Sequence, residues 1–197
     1  PFEGNPFETP MATCTGSAVP VVVGLGNPVA SLRDTAHNVG HRVLDALARD
    51  AGVSWEEVPE GLISSMMLRG KTIRLLKPGA AMNNSGVIVR RFLERTGGDP
   101  QHCVVVHDDA DLHLGEVRFK SGGGDAGHKG MRSVISALGT GEIPRARLGI
   151  RRSGDKTRAR GFVLAGFSSA EETILLRMVE KGSGMLRERL QSLLESN

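Results

Sequence analysis

Val104, Val105 and Val106 form a continuous apolar run that stops at His107-Asp108-Asp109-Ala110-Asp111. An unbroken run, without the alternation of a half-exposed strand, predicts a strand buried on both faces. Such strands belong to open α/β sheets, which place their chemistry where the strands end. Pro20-Val21-Val22-Val23-Gly24-Leu25 has the same character and predicts a buried first strand, followed by a sharp turn at Gly26-Asn27-Pro28.

Between and after these runs the apolar spacing alternates between helix and strand. Val39, Val43, Leu44, Leu47 and Ala51 predict a helix over about Asn38 to Asp50 with Gly52 as its stop. Leu62–Leu68 and Thr72–Leu76 read as strands of a hairpin turning at Arg69-Gly70-Lys71. A helix then runs to about Arg95, with Val87, Ile88, Phe92 and Leu93 on one side. Val117 and Phe119 alternate with Arg118 and Lys120, so this strand turns a basic face outward. Lys129–Leu138 predicts a short helix, Ala146, Leu148 and Ile150 the inner face of a strand, and Phe162–Leu164 an edge strand. Ser168-Ser169-Ala170-Glu171 approximates a capping box for a last helix to about Leu194. A chain of 197 residues with 39% hydrophobic content suits one packed domain, expected over residues 19–197.

Residues 1–18 hold two glutamates, no basic residue and no apolar run, which predicts a disordered extension rather than a signal or transit peptide. Met11 is a candidate start, with the preceding residues added in cloning. No stretch approaches the ~20 apolar residues of a membrane helix. Cys14 and Cys103 lie far apart, with neither metal-ligand spacing nor a disulfide framework. A reducing, cytoplasmic setting is expected, and no metal site is signalled.

Residues 115–160 contain eleven Lys or Arg against four Asp or Glu, an asymmetry that predicts a polyanionic partner. With 4% aromatic residues and no tyrosine, repeated base stacking is excluded in favour of phosphate contact. Lys120, Arg145, Arg147, Arg151 and Arg152 are the expected phosphate track. The turn at Gly24 lacks the third glycine and helix start of a dinucleotide site. Gly122-Gly123-Gly124-Asp125-Ala126-Gly127-His128-Lys129 is not a nucleoside-triphosphate loop either, since His128 separates glycine from lysine and no Ser or Thr follows. A glycine loop that opens a helix can still hold a single phosphate or a ribose.

Of the polar residues at strand ends, a carboxylate of the His107–Asp111 run can orient an imidazole such as His37. Asp109 and Asp111 are expected in a solvated acidic loop. Asn27 and Asn83 have two readings, amides donating to a developing oxyanion or ordinary turn and cap residues.

Taken together, Val-Gly-Leu-Gly-Asn-Pro ending at Pro28, Thr35-Ala36-His37-Asn38-Val39-Gly40, Lys77-Pro78 with Met82-Asn83-Asn84-Ser85-Gly86, and Val106-His107-Asp108 with Asp111-Leu112 resemble the bacterial-type peptidyl-tRNA hydrolase family. Gly115, Phe119-Lys120, Gly122–Gly124, Gly127-His128 and Arg147-Leu148-Gly149-Ile150 follow in the family's order, and the match spans roughly Val21 to Leu194. The resemblance implies a single α/β domain with a twisted mixed sheet between helices. It also implies cleavage of the ester joining a peptide to the 3′ ribose of tRNA, releasing tRNA for translation, without a cofactor. By motif, His37 resembles the water-activating base and Asp108 its carboxylate partner. Asn27 and Asn83 resemble side chains that hold the peptide and polarise the carbonyl, and Met82 resembles part of the site wall. Lys120 and Arg147 resemble the grip on tRNA phosphate, and His128 the histidine of a mobile loop. The expected partner is the acceptor stem of peptidyl-tRNA, bound by a monomer.

Three positions depart from the family pattern: Lys129 stands for the usual asparagine, Val29 for a glycine and Leu32 for a common tyrosine. Lys129 exchanges an amide that donates and accepts for a cation that only donates. A substrate-binding role is still expected of it, toward the terminal phosphate or ribose. A non-catalytic RNA-binding paralogue and an aminoacyl-tRNA-dependent acyl transferase are the alternatives. Retention of His37, Asp108, Asn27 and Asn83 favours the hydrolase.

Overall fold

The computed structural model describes residues 19–152 and 162–195, so the reading of residues 1–18 lies outside the described residues. The elements are β1 (Val21–Gly24), α1 (Val39–Asp50), β2 (Glu56–Val58), β3 (Gly61–Leu68), β4 (Lys71–Pro78), α2 (Ser85–Thr96), β5 (Cys103–His113), β6 (Val117–Lys120), α3 (Lys129–Leu138), β7 (Arg145–Arg151) and α4 (Ser169–Glu195). One seven-stranded sheet has the order β2-β3-β4-β1-β5-β7-β6. Its centre, β4-β1-β5-β7, is parallel; the β2-β3-β4 and β7-β6 pairings at its two sides are antiparallel. The sheet is therefore mixed, as the resemblance implied.

The apolar runs are explained by a core on each face of the sheet. Val22, Val104 and Val106 pack with α1 and α4, whereas Val21, Val23, Cys103 and Val105 pack with α2 and α3. Successive side chains of a strand point to opposite faces, so a strand between two cores must be apolar at every position. β1 lies between β4 and β5, and the chain builds to one side of it before crossing to the other. That reversal opens a crevice at the carboxyl ends of β1 and β5.

The hairpin turns at Arg69 and Gly70, both at positive φ (50° and 75°), the twist a two-residue connection requires. Gly97 ends α2 in the left-handed conformation. Ser168 and Glu171 make the reciprocal cap of α4: the Ser168 N–H donates to Glu171 Oε2 at 2.8 Å, and the Glu171 N–H to Ser168 Oγ at 3.4 Å. No helix among the described residues is long and apolar enough to cross a membrane.

Three expectations need correction, and one element had none. Phe162–Leu164 forms a 3-10 turn, and the edge strand beside β7 is β6. The segment after Phe162 instead pins the turn before α1, through a Thr35–Gly166 bridge and an Ala36 N–H to Ala165 O bond of 3.2 Å. β5 does not end at the acidic motif but continues through it to His113, because β7 pairs with His107, Asp108 and Asp109. Val87 on α2 is exposed, and Val89, Phe92 and Leu93 make its buried face. β2 was not anticipated; at three residues its alternation is too short to read.

Candidate active site

His37 follows β1 across a long turn and lies in a 3-10 turn just before α1. α1 is pressed against the strand ends so closely that a Cβ at Gly40 would sit 2.5 Å from the carbonyl oxygens of Leu25 and Val106. This approach brings the helix entrance onto β5 and buries His37. Its Nδ1 lies 2.8 Å from Oδ1 of Asp108, a buried carboxylate on β5. The ionised carboxylate can only accept, so Nδ1 carries the proton and Nε2 keeps its lone pair.

His128 approaches the same carboxylate oxygen from the other side, with Nε2 2.8 Å from Asp108 Oδ1. It is the N-cap residue of α3, and its Nδ1 accepts the Met131 N–H at 3.1 Å. Nδ1 is therefore unprotonated and Nε2 is the donor. The His37 and His128 rings are 4.9 Å apart, centroid to centroid. Burial alone would raise the Asp108 pKa, but the His128 and His37 imidazoles outweigh it and hold the carboxyl well below the usual carboxylate range. Asp108 thus remains a charged acceptor for two N–H groups.

Beneath them, His107 donates from Nδ1 to the Asp108 carbonyl at 2.7 Å and stacks edge-on to His128, 4.9 Å between centroids. Complete burial, with His128 adding to it, pushes its pKa down to about 3, so it is a neutral support. Its Nε2 is buried without a hydrogen-bond partner among the described residues.

His37, Asp108 and His128 place three potential metal ligands within 4.8 Å of one another. The geometry is that of two donors on one oxygen, and those hydrogen bonds account for it without an ion.

The remaining site residues divide between two clefts. Asn27 is locked to Asn38, its N–H donating to Asn38 Oδ1 at 2.6 Å and its carbonyl accepting from Asn38 Nδ2 at 3.0 Å. Both line a cleft of about 720 Å³ with His41, Lys77 and the β3-β4 ends, a space that His37 and Asp108 do not line. The Asn27 side-chain amide has no hydrogen-bond partner among the described residues and is free to meet a ligand. A second cleft of about 680 Å³ between α2 and α3 is lined by Asn83, Lys129, Arg90 and Arg132. Lys129 is exposed and unpaired among the described residues, as expected for an open loop. Met82 is buried, and no Cβ would fit at Gly130 between Met82 Sδ and the His128 ring. Met82 and the His128 ring therefore both close on Gly130.

The expected phosphate track is only partly a free basic surface. Lys120 is exposed on edge strand β6. Arg147 Nε donates to Asp109 Oδ2 at 2.6 Å. Asp109 is buried and also accepts the Asp111 N–H at 2.8 Å, which overturns its assignment to a solvated loop. Arg151 is bonded to His113, and Arg152 donates to the Gly166 carbonyl and pairs with Glu171. Arg145 is buried and bonded to backbone carbonyls, so it is no part of a track. Burial and the neighbouring Arg147 charge push its pKa below the ordinary arginine value. Asn38, Asp109 and Arg145 were not singled out from sequence as supports. Asn38 shared a motif with His37, but its bond to Asn27 crosses eleven residues and has no local pattern.

A family profile described as Peptidyl-tRNA hydrolase matches residues 21–197. A peptidyl-tRNA hydrolase of Hydrogenobaculum is 35% identical over 90% of this chain and 94% of its own length. One of Synechocystis is 40% identical over 86% of this chain and 87% of its own. The crystal structure of peptidyl-tRNA hydrolase from Acinetobacter baumannii superposes with a TM-score of 0.83 at 30% identity, covering 92% of this chain and 94% of that one.

Proposed function

The chain belongs to the peptidyl-tRNA hydrolase family, and from that premise we propose that His37, oriented by Asp108, activates the water that cleaves the ester between peptide and tRNA. The chain is thus a carboxylic ester hydrolase that returns tRNA to translation. The observation that carries the mechanism is the His37 Nδ1 to Asp108 Oδ1 contact of 2.8 Å, which leaves Nε2 as the free base.

In this reading Nε2 takes a proton from water as the oxygen attacks the ester carbonyl, and the imidazolium returns a proton to the departing ribose 3′ oxygen. Asp108 stabilises the imidazolium in a buried setting, where its charge is poorly screened. Asn27 and Asn83 hold the peptide and donate to the carbonyl oxygen as it gains charge. An alkoxide leaves more readily than an amine, so the ester requires positioned water, a base and an oxyanion donor but no covalent nucleophile.

Lys120 and Arg147 grip phosphate of the acceptor stem, Arg147 with its guanidinium oriented by Asp109. Lys129 meets the ribose or the terminal phosphate, beside His128 and the Met82 wall. No cofactor takes part, and the enzyme acts as a cytoplasmic monomer.

Product analysis on a defined peptidyl-tRNA tests the reading: free peptide and intact deacylated tRNA are expected. Binding without product would mark an RNA-binding paralogue. An acyl conjugate formed only with an added amine would mark a transferase.

A further inference from the structure

Arg145 is an arginine that the hydrolytic chemistry does not use. It opens β7 at only 3% exposure, and no carboxylate lies within ion-pair distance of it among the described residues. A buried guanidinium that feels the Glu142 charge without forming an ion pair with it is costly unless its N–H groups are satisfied. Here they are satisfied by carbonyl oxygens: Nε donates to Ile143 at 3.2 Å, Nη1 to Gly124 at 2.9 Å, and Nη2 to Gly123 at 3.0 Å and Gly141 at 2.9 Å.

These acceptors come from the two segments that flank α3. Gly123 and Gly124 lie in the glycine loop before it, and Gly141 and Ile143 follow it. The Gly123 N–H also donates to the Gly141 carbonyl at 3.0 Å, so the fork closes a seam between the segments. From Gly124 the chain reaches His128 through a turn held by Asp125, which accepts the Gly127 N–H on Oδ1 at 2.6 Å and the His128 N–H on its carbonyl at 2.9 Å.

We infer that Arg145 is a positioning residue: its guanidinium fixes the Gly122–Gly127 loop, and so holds His128 on Asp108 and Lys129 at the mouth of the α2–α3 cleft. The glycines explain why a dedicated anchor is needed. Four of the six residues from Gly122 to Gly127 are glycine, and such a segment loses the most backbone freedom on ordering. A planar fork with fixed donor directions can gather carbonyls from two segments, which the single ammonium of lysine cannot do. The functional half of this inference rests on His128 and Lys129 facing substrate; the structural half does not.

The test uses the full chain carrying Arg145→Lys, which keeps the charge, and Arg145→Gln, which removes the buried charge. Amide hydrogen exchange of the free protein is read at Gly124–His128, and KM and kcat are measured on peptidyl-tRNA. Faster exchange confined to this loop is expected in both variants. KM should rise about tenfold while kcat stays within about threefold, because His37 and Asp108 stand on other elements. The KM effect should also be absent when His128→Ala is already present, since both changes release the same contact. Unchanged loop exchange, kcat falling as far as KM rises, or additive effects with His128→Ala would overturn the inference. So would global unfolding of both variants, which would make Arg145 a support of the whole fold. If wild type itself shows no turnover, the hydrolase reading fails, and the exchange experiment still decides whether Arg145 anchors the loop.

Discussion

His37 lies in the turn that enters α1 and Asp108 within β5, held by a helix in backbone contact with the sheet, whereas His128 and Lys129 open α3 directly after a glycine loop anchored through one buried arginine. The first pair cannot shift without disturbing the core that α1 and α4 make against the sheet. The second can reorder at the cost of a few hydrogen bonds, and such segments lie at the low-stability end of a fold. In the proposed reading the difference separates the chemistry from the reception of substrate: the sheet side sets the His37 tautomer, and the loop side presents His128 and Lys129.

The largest effect expected from this contrast is a loss of stability in acid. Half-buried His41, beside the Lys77 charge, and buried His107 both have pKa values pushed down to about 3 from an ordinary 6.5. The unfolded chain takes up these protons below about 6.5 while the folded chain resists them, so stability is lost as pH falls from 6.5 toward 3. The depressed Asp108 carboxyl acts in the same direction at the lower end of that window. Thermal melts should show the midpoint falling across this range, with a shallower fall for His41→Gln. Equal slopes would mean that His41 takes up protons in the folded state.

Next in size, Asp108→Asn should lower kcat by ~10²–10⁴, because the amide can donate to Nδ1 and leave Nε2 protonated. tRNA affinity should change little, and single-turnover rates with parallel binding measurements check this. A rate near wild type would show that the tautomer does not depend on Asp108.

The two candidate phosphate contacts should behave differently. Lys120→Ala should weaken tRNA binding several-fold and lower the salt slope by about one ion, without loss of stability. Arg147→Ala leaves the Asp109 carboxylate buried and unpaired, and should also destabilise the fold by about 3 kcal/mol. Denaturant unfolding beside salt titrations separates them, and an undisturbed fold in Arg147→Ala would contradict the buried pairing.

The smallest effect belongs to Lys129→Asn, which should keep the fold, reduce the salt dependence of RNA binding and maintain or raise kcat. Indistinguishable salt slopes would show that Lys129 points only to solvent.

What sequence conveyed follows the same division. The strand runs, α1, α2, α3 and the α4 cap were legible because each is a local pattern. His37, Asp108 and His128 were legible as motif positions, and the structure adds that they share one carboxylate oxygen. Asp109 and Arg145 were misread because their settings come from the register of β7 against β5 and from carbonyls at both ends of α3. A basic residue in a basic segment reads as surface charge, and only packing reveals that it is inside.

The central claim is that His37 Nε2 is the base. Its most direct test is single-turnover cleavage of a defined peptidyl-tRNA by His37→Ala at saturating enzyme, with tRNA binding and thermal stability measured on the same preparation. The account predicts a rate at least about 10³-fold below wild type, with binding and melting unchanged. Wild-type cleavage by the folded variant would contradict it.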